Sequence, residues 1–386
     1  MKTATLGEVA DWGSGGTPKR GVAEYFGEGT PWLSIADLND DVVMRAKESL
    51  TSAGIANSSA KIVPPGTLLI AMYGSIGKLG IAGTEVATSQ AIAFAQPKDS
   101  LIDRRFLFHY LLAERPKLQA MGRGGTQMNI GQADLKAWPI PLPPLSEQRR
   151  IAAILDHADA LRAKRRQALT HLDALSQSIF RDMFDDPDSV ADNVEFGQVA
   201  NLSGGRSLVA DDSSVDSPFR VLKISAVTTG QFRVGESKPL PPEYTPPVGH
   251  LVRAGDLLMS RANTTELVGA VAYVPSTPPN LALPDKVWRF EWKVEAEPIF
   301  YHALLSTSSV RRRIRGLSSG TGGSMKNVSK TKLERMWVPR VSLDLQRAFA
   351  NRARHIAQQR ALLQSGVAAG DELFVSLQSR AFRGEL

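Results

Sequence analysis

From Pro139 the chain reads Pro-Ile-Pro-Leu-Pro-Pro-Leu-Ser-Glu-Gln-Arg-Arg, and it then runs on to Phe184 with no further Gly or Pro. Proline fixes φ and removes an N–H donor, so the entry must be an extended, rigid lead-in and the stretch after it is free to be helix. Ser146 is placed to cap that helix, with Glu147 facing the positive end of its dipole. Ile154, Ala158, Leu161, Arg165, Ala168, Leu172, Leu175 and Ile179 recur at alternating spacings of four and three. That is a coiled-coil seam with one charged interruption at Arg165. Asp185-Asp186-Pro187 ends it. At 1.5 Å per residue the helix is about 55–60 Å long, and a helix so narrowly apolar needs a partner helix.

The chain supplies one because it reads twice. Gly7-Glu-Val-Ala-Asp returns as Gly197-Gln-Val-Ala-Asn, and Val63-Pro-Pro-Gly-Thr-Leu-Leu-Ile as Val252-Arg-Ala-Gly-Asp-Leu-Leu-Met. Phe108-His-Tyr-Leu-Leu is echoed by Tyr301-His-Ala-Leu-Leu, and Gly124-Gly-Thr-Gln-Met-Asn-Ile by Gly322-Gly-Ser-Met-Lys-Asn-Val. From there the offset is constant: Pro141 maps to Pro339, Gln148-Arg149 to Gln346-Arg347, and Phe184 to Phe382. The second long helix is expected to be capped by Asp344. Phe349, Ile356, Leu363 and Leu377 belong to its seam, with Arg360, Gly366 and Gly370 as interruptions.

These patterns define an α+β chain: two tandem mixed α/β globules and two long antiparallel helices that form a coiled coil, as a pseudo-two-fold internal repeat. The expected boundaries are 1–143 for the first globule and 144–186 for the central helix. The second globule follows at 187–343 and the C-terminal helix at 344–386. Strand composition marks Pro31–Ile35, Thr67–Tyr73, Ala91–Ala95 and Val287–Val294, and one amphipathic helix follows in each globule, near 104–114 and 298–315. The proline-rich Ser237–Val248 reads as an irregular loop.

With 386 residues and 42% apolar content there is material for real cores. No apolar run is long enough to span a membrane, the first residues lack a signal-peptide core, and there is no cysteine. A cytoplasmic protein fits these facts. The net charge is +7, with the surplus mainly in residues 191–343, which points to a polyanionic partner. A two-fold protein carrying two unlike heads is suited to two unlike half-sites on duplex DNA.

Pro-Leu-Pro-Pro-Leu-Ser-Glu-Gln-Arg-Arg-Ile opening a long helix, preceded by Gly-Gly-Thr-Gln-Met-Asn-Ile, resembles the conserved regions of specificity (S) subunits of Type I restriction–modification systems. Gly13–Pro18, Gly74-Ser-Ile-Gly-Lys and Ser260-Arg-Ala-Asn-Thr-Thr are likewise similar to phrases of that family's target-recognition domains. In the second copy Arg340-Val-Ser-Leu-Asp-Leu departs from the proline run. The resemblance implies a non-catalytic, sequence-specific subunit that reads a bipartite asymmetric target on double-stranded DNA. Its partners would be two methyltransferase (M) subunits and motor-nuclease restriction (R) subunits. S-adenosylmethionine, ATP and Mg would belong to those partners, with no cofactor in this chain.

Candidate DNA contacts follow from residue chemistry. Arg311, Arg312 and Arg313, leading through a Gly/Ser loop to Lys326 and Asn327, combine cations with accessible backbone N–H groups, which suits phosphate. In the first copy Arg123, Thr126, Gln127 and Asn129 have the same layout, and Gln or Asn could read adenine edges. Asn129 and Asn327 could equally cap a local turn. Tyr73 and Lys78, with Arg261, Asn263 and Thr264 as their counterparts, lie on Gly-rich or polar loops after strands. Thr17, Lys19, Arg20 and Arg206 complete the set. Two other readings stand beside this one. Asp285, Glu291 and Lys293 loosely resemble the pattern of a metal-dependent nuclease, and a basic coiled-coil scaffold that binds only protein is the third. His109 and His302 read as packed rather than catalytic.

Overall fold

In the computed structural model the described residues are 2–124, 128–184, 192–206, 217–320 and 325–386. The chain divides into two compact units, residues 1–167 with 364–386, and residues 168–363. Each long helix contributes to both units. The first runs Leu145–Met183 and the second Leu343–Arg383, unbroken through Gly366 and Gly370. The expected stop at Asp185-Asp186-Pro187 lies outside the described residues.

The first unit is organised on a five-stranded sheet of order Ala10–Ser14, Ile92–Pro97, Leu68–Ala71, Leu79–Ala82, Val42–Val43. The first three junctions are antiparallel and the last is parallel. The second unit repeats its core as Ala200–Gly204, Val287–Trp292, Leu257–Ser260, Val271–Tyr273, all antiparallel. The strand Leu68–Ala71 is buried along its whole length and therefore reads as a continuous apolar run. The proline lead-in is extended as expected: Pro139–Pro141 pairs with Thr3–Thr5, and Trp337–Pro339 with Asn193–Glu195. Among the described residues no helix is long and apolar enough to cross a membrane.

Several local expectations change. The first long helix begins at Leu145, with Pro144 O accepting from Glu147 and Gln148 N–H, so Ser146 lies inside the first turn and does not cap. The amphipathic helix of the first unit extends over Arg104–Ala120, through Pro116. Its counterpart is two helices, Pro298–Ser306 and Ser308–Gly316, because Thr307 is extended and its Oγ1 caps Val310 N. Within the proline-rich segment, Ser237–Pro239 forms a short strand against Arg220–Leu222.

The seam is also not the uniform apolar stripe that spacing implied. In the first unit Ile151, Ala152, Leu155 and Ala158 pack on the globule core, and Phe374, Leu377 and Ala381 of the second helix join the same cluster. Ile154 is half-buried and Leu161 is 43% exposed. In the second unit Ile179 and Phe349 join the core around Phe180 and Phe300. Ile356 is buried and Leu172 and Leu363 are half-buried, but Leu175 is 44% exposed.

Between these ends, the first unit pairs its helices through polar groups. Arg162 Nε and Arg166 Nη2 each reach Asp371 Oδ1 at 2.7 Å, and Arg162 stacks over Phe374 at 4.2 Å. Arg165 Nη1 donates to Gly366 O at 2.9 Å, and a Cβ on Gly370 would lie 3.2 Å from Arg165. The apparent interruptions are therefore complementary to one another. As residue numbers rise from 162 to 165 on one helix, partners fall from 371 to 366 on the other, so this pairing is antiparallel.

A buried amide fixes where each long helix leaves its globule. Gln148 is fully buried; its Nε2 donates to Leu101 O (3.0 Å) and Pro143 O (2.8 Å), and its Oε1 accepts from Asp103 N (2.8 Å). Asp103 is the N-cap of the amphipathic helix. Gln346 repeats the arrangement with Val341 O (2.8 Å) and Glu297 N (3.1 Å). Replacing Gln148 by Leu leaves buried backbone groups unpaired, so a loss of at least ~2 kcal/mol in chemical denaturation is expected.

A second tie is ionic. Asp156 accepts from buried His109 Nε2 at 2.7 Å and from Arg105 Nε at 2.8 Å. Burial pushes the Asp156 carboxyl up, but the hydrogen bonds from His109 and Arg105 outweigh it and hold the pKa at about 2. A depressed carboxyl contributes its stability above the ordinary value near 4 and loses it as pH falls towards 2. Asp156→Asn should therefore lower the melting temperature at pH 7, and its deficit should shrink as pH drops from 4. A deficit independent of pH would assign the effect to packing instead.

Candidate functional site

Each unit presents a sheet edge at which a glycine-rich segment approaches a neighbouring main chain closely. In the first unit Gly16 N donates to Thr88 O at 2.9 Å, and a Cβ on Gly15 would lie 1.8 Å from that same oxygen. In the second, Gly205 N donates to Pro284 O at 3.1 Å, and a Cβ on Gly205 would lie 1.6 Å from Leu283 O. Only glycine allows this approach of two main chains. The Gly-Gly phrases are therefore structural, and they bring the following residues, Thr17 and Arg206, to the edge.

Beyond the strand Leu68–Ala71, Tyr73 bridges to Asn129, and Asn129 bridges to Arg123 through paired N–H···O bonds of 2.8 and 2.9 Å. Beyond Leu257–Ser260, Ala262 pairs with Asn327 in the strand Lys326–Val328, which pairs in turn with Ser319. The loop after the central strand and the end of the glycine-rich loop are thus joined identically in both units. An arginine clamps each arrangement from behind. Arg115 Nε donates to Gly77 O at 2.8 Å and pairs with Asp40. Arg311 donates to Val268 O (3.0 Å) and Glu266 O (3.1 Å).

That placement sorts the sequence-derived candidates. Tyr73, Arg123, Asn129, Asn327 and Lys326 come together at their edges, with Asn263 and Thr264 on the adjoining loop. Thr264 is exposed, and Asn263 Oδ1 accepts its N–H at 2.8 Å. Arg261 is half-buried beside the Trp288 ring, 5.6 Å from its centroid. Lys78 turns inward and donates to Ile35 O at 3.2 Å. Thr17 donates to Gln90 Oε1, and Gln90 is a residue that spacing gave no reason to single out. Lys19 and Arg206 are exposed. Arg20 is bidentate on Glu48 (2.8 and 2.7 Å) and lies over Phe26 and Trp32, so its charge is already paired. Thr126 and Gln127 lie outside the described residues.

The triple-arginine cluster resolves into three directions, as a 100° step per helical residue requires. Arg311 clamps the loop, and its pKa is lowered by burial and then by neighbouring Arg315. Arg313 Nη1 donates to Trp337 O at 2.9 Å. Arg312 is exposed and makes no hydrogen bond or ion pair among the described residues. The nuclease reading fails on distance. Asp285 and Glu291 are six residues apart on nearly extended chain, ~20 Å, while Lys293 Nζ donates to Gly197 O at 2.6 Å. Among the described residues no cluster of three or more His, Asp or Glu could hold a metal. His109 and His302 are engaged with Asp156 and Gly230 O.

The fold and the site define a duplicated α+β protein whose halves offer equivalent loop edges with different side chains. Residues 1–171 match the family model described as the Type I restriction modification DNA specificity domain. The MjaIX specificity subunit of Methanocaldococcus jannaschii is 28% identical over 191 residues, covering 48% of this chain and 43% of that protein. The EcoKI specificity subunit of Escherichia coli is 26% identical over 312 residues, covering 75% of this chain and 67% of its own length. The chain thus aligns with under half of the first relative and about two thirds of the second. The crystal structure of a Type I S subunit from M. genitalium superposes with a TM-score of 0.61 over 99% of this chain and 96% of that one, at 14% identity, and so shares the fold. Residues 1–171 therefore carry a Type I restriction modification DNA specificity domain, and the chain as a whole has the fold of the solved S subunit.

A single-residue comparison separates clamp from contact. Arg311→Ala should lower thermal stability by ~1–2 kcal/mol, because two carbonyls lose a buried partner. Arg312→Ala should leave folding stability within the ±0.5 kcal/mol typical of surface changes while weakening duplex DNA binding severalfold.

Proposed function

We propose that the chain is the non-catalytic DNA-recognition subunit of a Type I restriction–modification assembly in the cytoplasm. Residues 1–143 and 187–343 serve as target-recognition domains and 144–186 and 344–386 as helical segments. The two recognition domains read the halves of a bipartite, asymmetric site on double-stranded DNA. Two M subunits and the R subunits are the partners, and S-adenosylmethionine, ATP and Mg are theirs. The observation that carries this reading is the repetition of one backbone edge in both units with unlike side chains. A constant frame with variable faces is what two heads reading different half-sites require. The basic surplus in residues 191–343 supports a polyanionic ligand, and the named relatives are specificity subunits.

Phosphate neutralisation releases counterions, so affinity for duplex DNA should fall log-linearly with salt, by ~10³-fold or more between 50 and 200 mM if six phosphates are contacted. The purified chain should neither methylate nor cleave DNA, and adenine methylation should appear on adding the M subunit. Methyl transfer by the chain alone, or affinity insensitive to salt, would overturn the proposal.

A further inference from the structure

A turn at the end of one sheet strand ties into the equivalent edge in each unit. In the first unit Ile92 pairs with Ala71, Met72 N donates to Ala91 O at 2.8 Å and Ile92 N to Ser89 O at 3.1 Å, so Gln90 stands in the turn at this junction. In the second unit Ser260 pairs with Val287 and Arg261 N donates to Lys286 O at 3.0 Å, so Asp285 stands in the equivalent turn. Each unit therefore carries a row of three cross-strand neighbours with a turn residue at its outer end. The first row is Tyr73, Asn129, Arg123, with Gln90 in the turn; the second is Ala262, Asn327, Ser319, with Asp285 in the turn. Neighbouring strands lie ~4.8 Å apart, so a row of three spans ~10 Å. That is close to the ~12 Å width of a major groove.

Only the asparagine is common to both rows. In the first row Gln90 is exposed and Tyr73 is 38% exposed. Thr17 Oγ1 donates to Gln90 Oε1, which fixes the amide orientation while leaving Nε2 and the second Oε1 lone pair available. A carboxamide so held offers one donor and one acceptor side by side, the complement of adenine N7 and N6. In the second row Asp285 is half-buried, and its side chain has no hydrogen bond or ion pair among the described residues. A carboxylate on a DNA-facing edge is repelled by phosphate, and it becomes favourable where it accepts from the N4 amine of cytosine. Ala262 of the second row is buried.

We propose that Gln90 and Asp285 are the specificity-determining residues at the outer end of each row, Gln90 reading an adenine in one half-site and Asp285 a cytosine in the other. Asn129 and Asn327 make the contact common to both. This rests on the DNA-reading function proposed above.

The test is selection of binding sites from a randomised duplex library by the full chain, compared with Asp285→Asn and Gln90→Glu, each first shown to melt with the parent protein. Asp285→Asn should change the preferred base at one position of one half-site from cytosine towards adenine, by about tenfold or more in competition, and leave the other half-site unchanged. Gln90→Glu should change one position in the opposite half-site. Selection of the parent sequence by both folded variants, or a loss spread evenly over cognate and non-cognate DNA, would overturn the assignment while leaving DNA recognition standing. Failure of the parent chain itself to enrich any duplex would overturn both.

Discussion

The structure depends first on a buried side-chain amide. Gln148 and Gln346 each sit where a rigid extended segment turns into a long helix, and each ties that turn to the N-terminus of the globule's own amphipathic helix. A glutamine can do this because it carries both donors and an acceptor, whereas an aliphatic residue of the same volume would orphan several main-chain groups. The long helix therefore starts at a defined place and angle on its globule. The residues that follow, Ile151, Ala152 and Leu155, then complete the core around Phe106 and Phe108.

With the helices docked in this way, their middle need not be apolar. Arg162, Arg165 and Arg166 meet Asp371, Gly366 O and the Phe374 ring in the first unit. Solvent-accessible ion pairs are worth only ~0.2–1 kcal/mol each, so they contribute less to strength than to register. A shift by one residue would rotate Asp371 away from both arginines.

The candidate edges of the two units follow a common plan. A glycine pair lets two main chains approach, antiparallel bridges bring three segments side by side, and an arginine within an amphipathic helix, Arg115 or Arg311, braces the loop from behind. The backbone frame is constant and the displayed side chains differ. Fold similarity speaks to the frame; the chemistry of recognition lies in what each frame carries.

Much of this frame was legible in the order of residues. The doubled phrases implied the repeated sheet topology. The proline run implied an extended lead-in, and the absence of Gly and Pro after it implied the first long helix. Asn129 and Asn327 could be seen as equivalents because the offset between copies is constant there. Other features were not legible, because they depend on partners distant in sequence. Nothing local tells Arg312, which faces solvent, from Arg311 and Arg313, which find carbonyls at Val268, Glu266 and Trp337. Leucines at seam spacing, Leu161 and Leu175, are exposed because polar groups and the globules decide which helix face is covered. Gln90 and Asp285 gained meaning only from tertiary hydrogen bonds, which tie their turns to the edge through Met72 N and Ala91 O in one unit and Arg261 N and Lys286 O in the other. Sequence determines which segments are extended, helical or repeated, since those properties depend on short-range periodicity and backbone chemistry. Tertiary structure alone decides which side chains share an edge, because neighbourhood across strands is set by pairing between segments far apart in the chain.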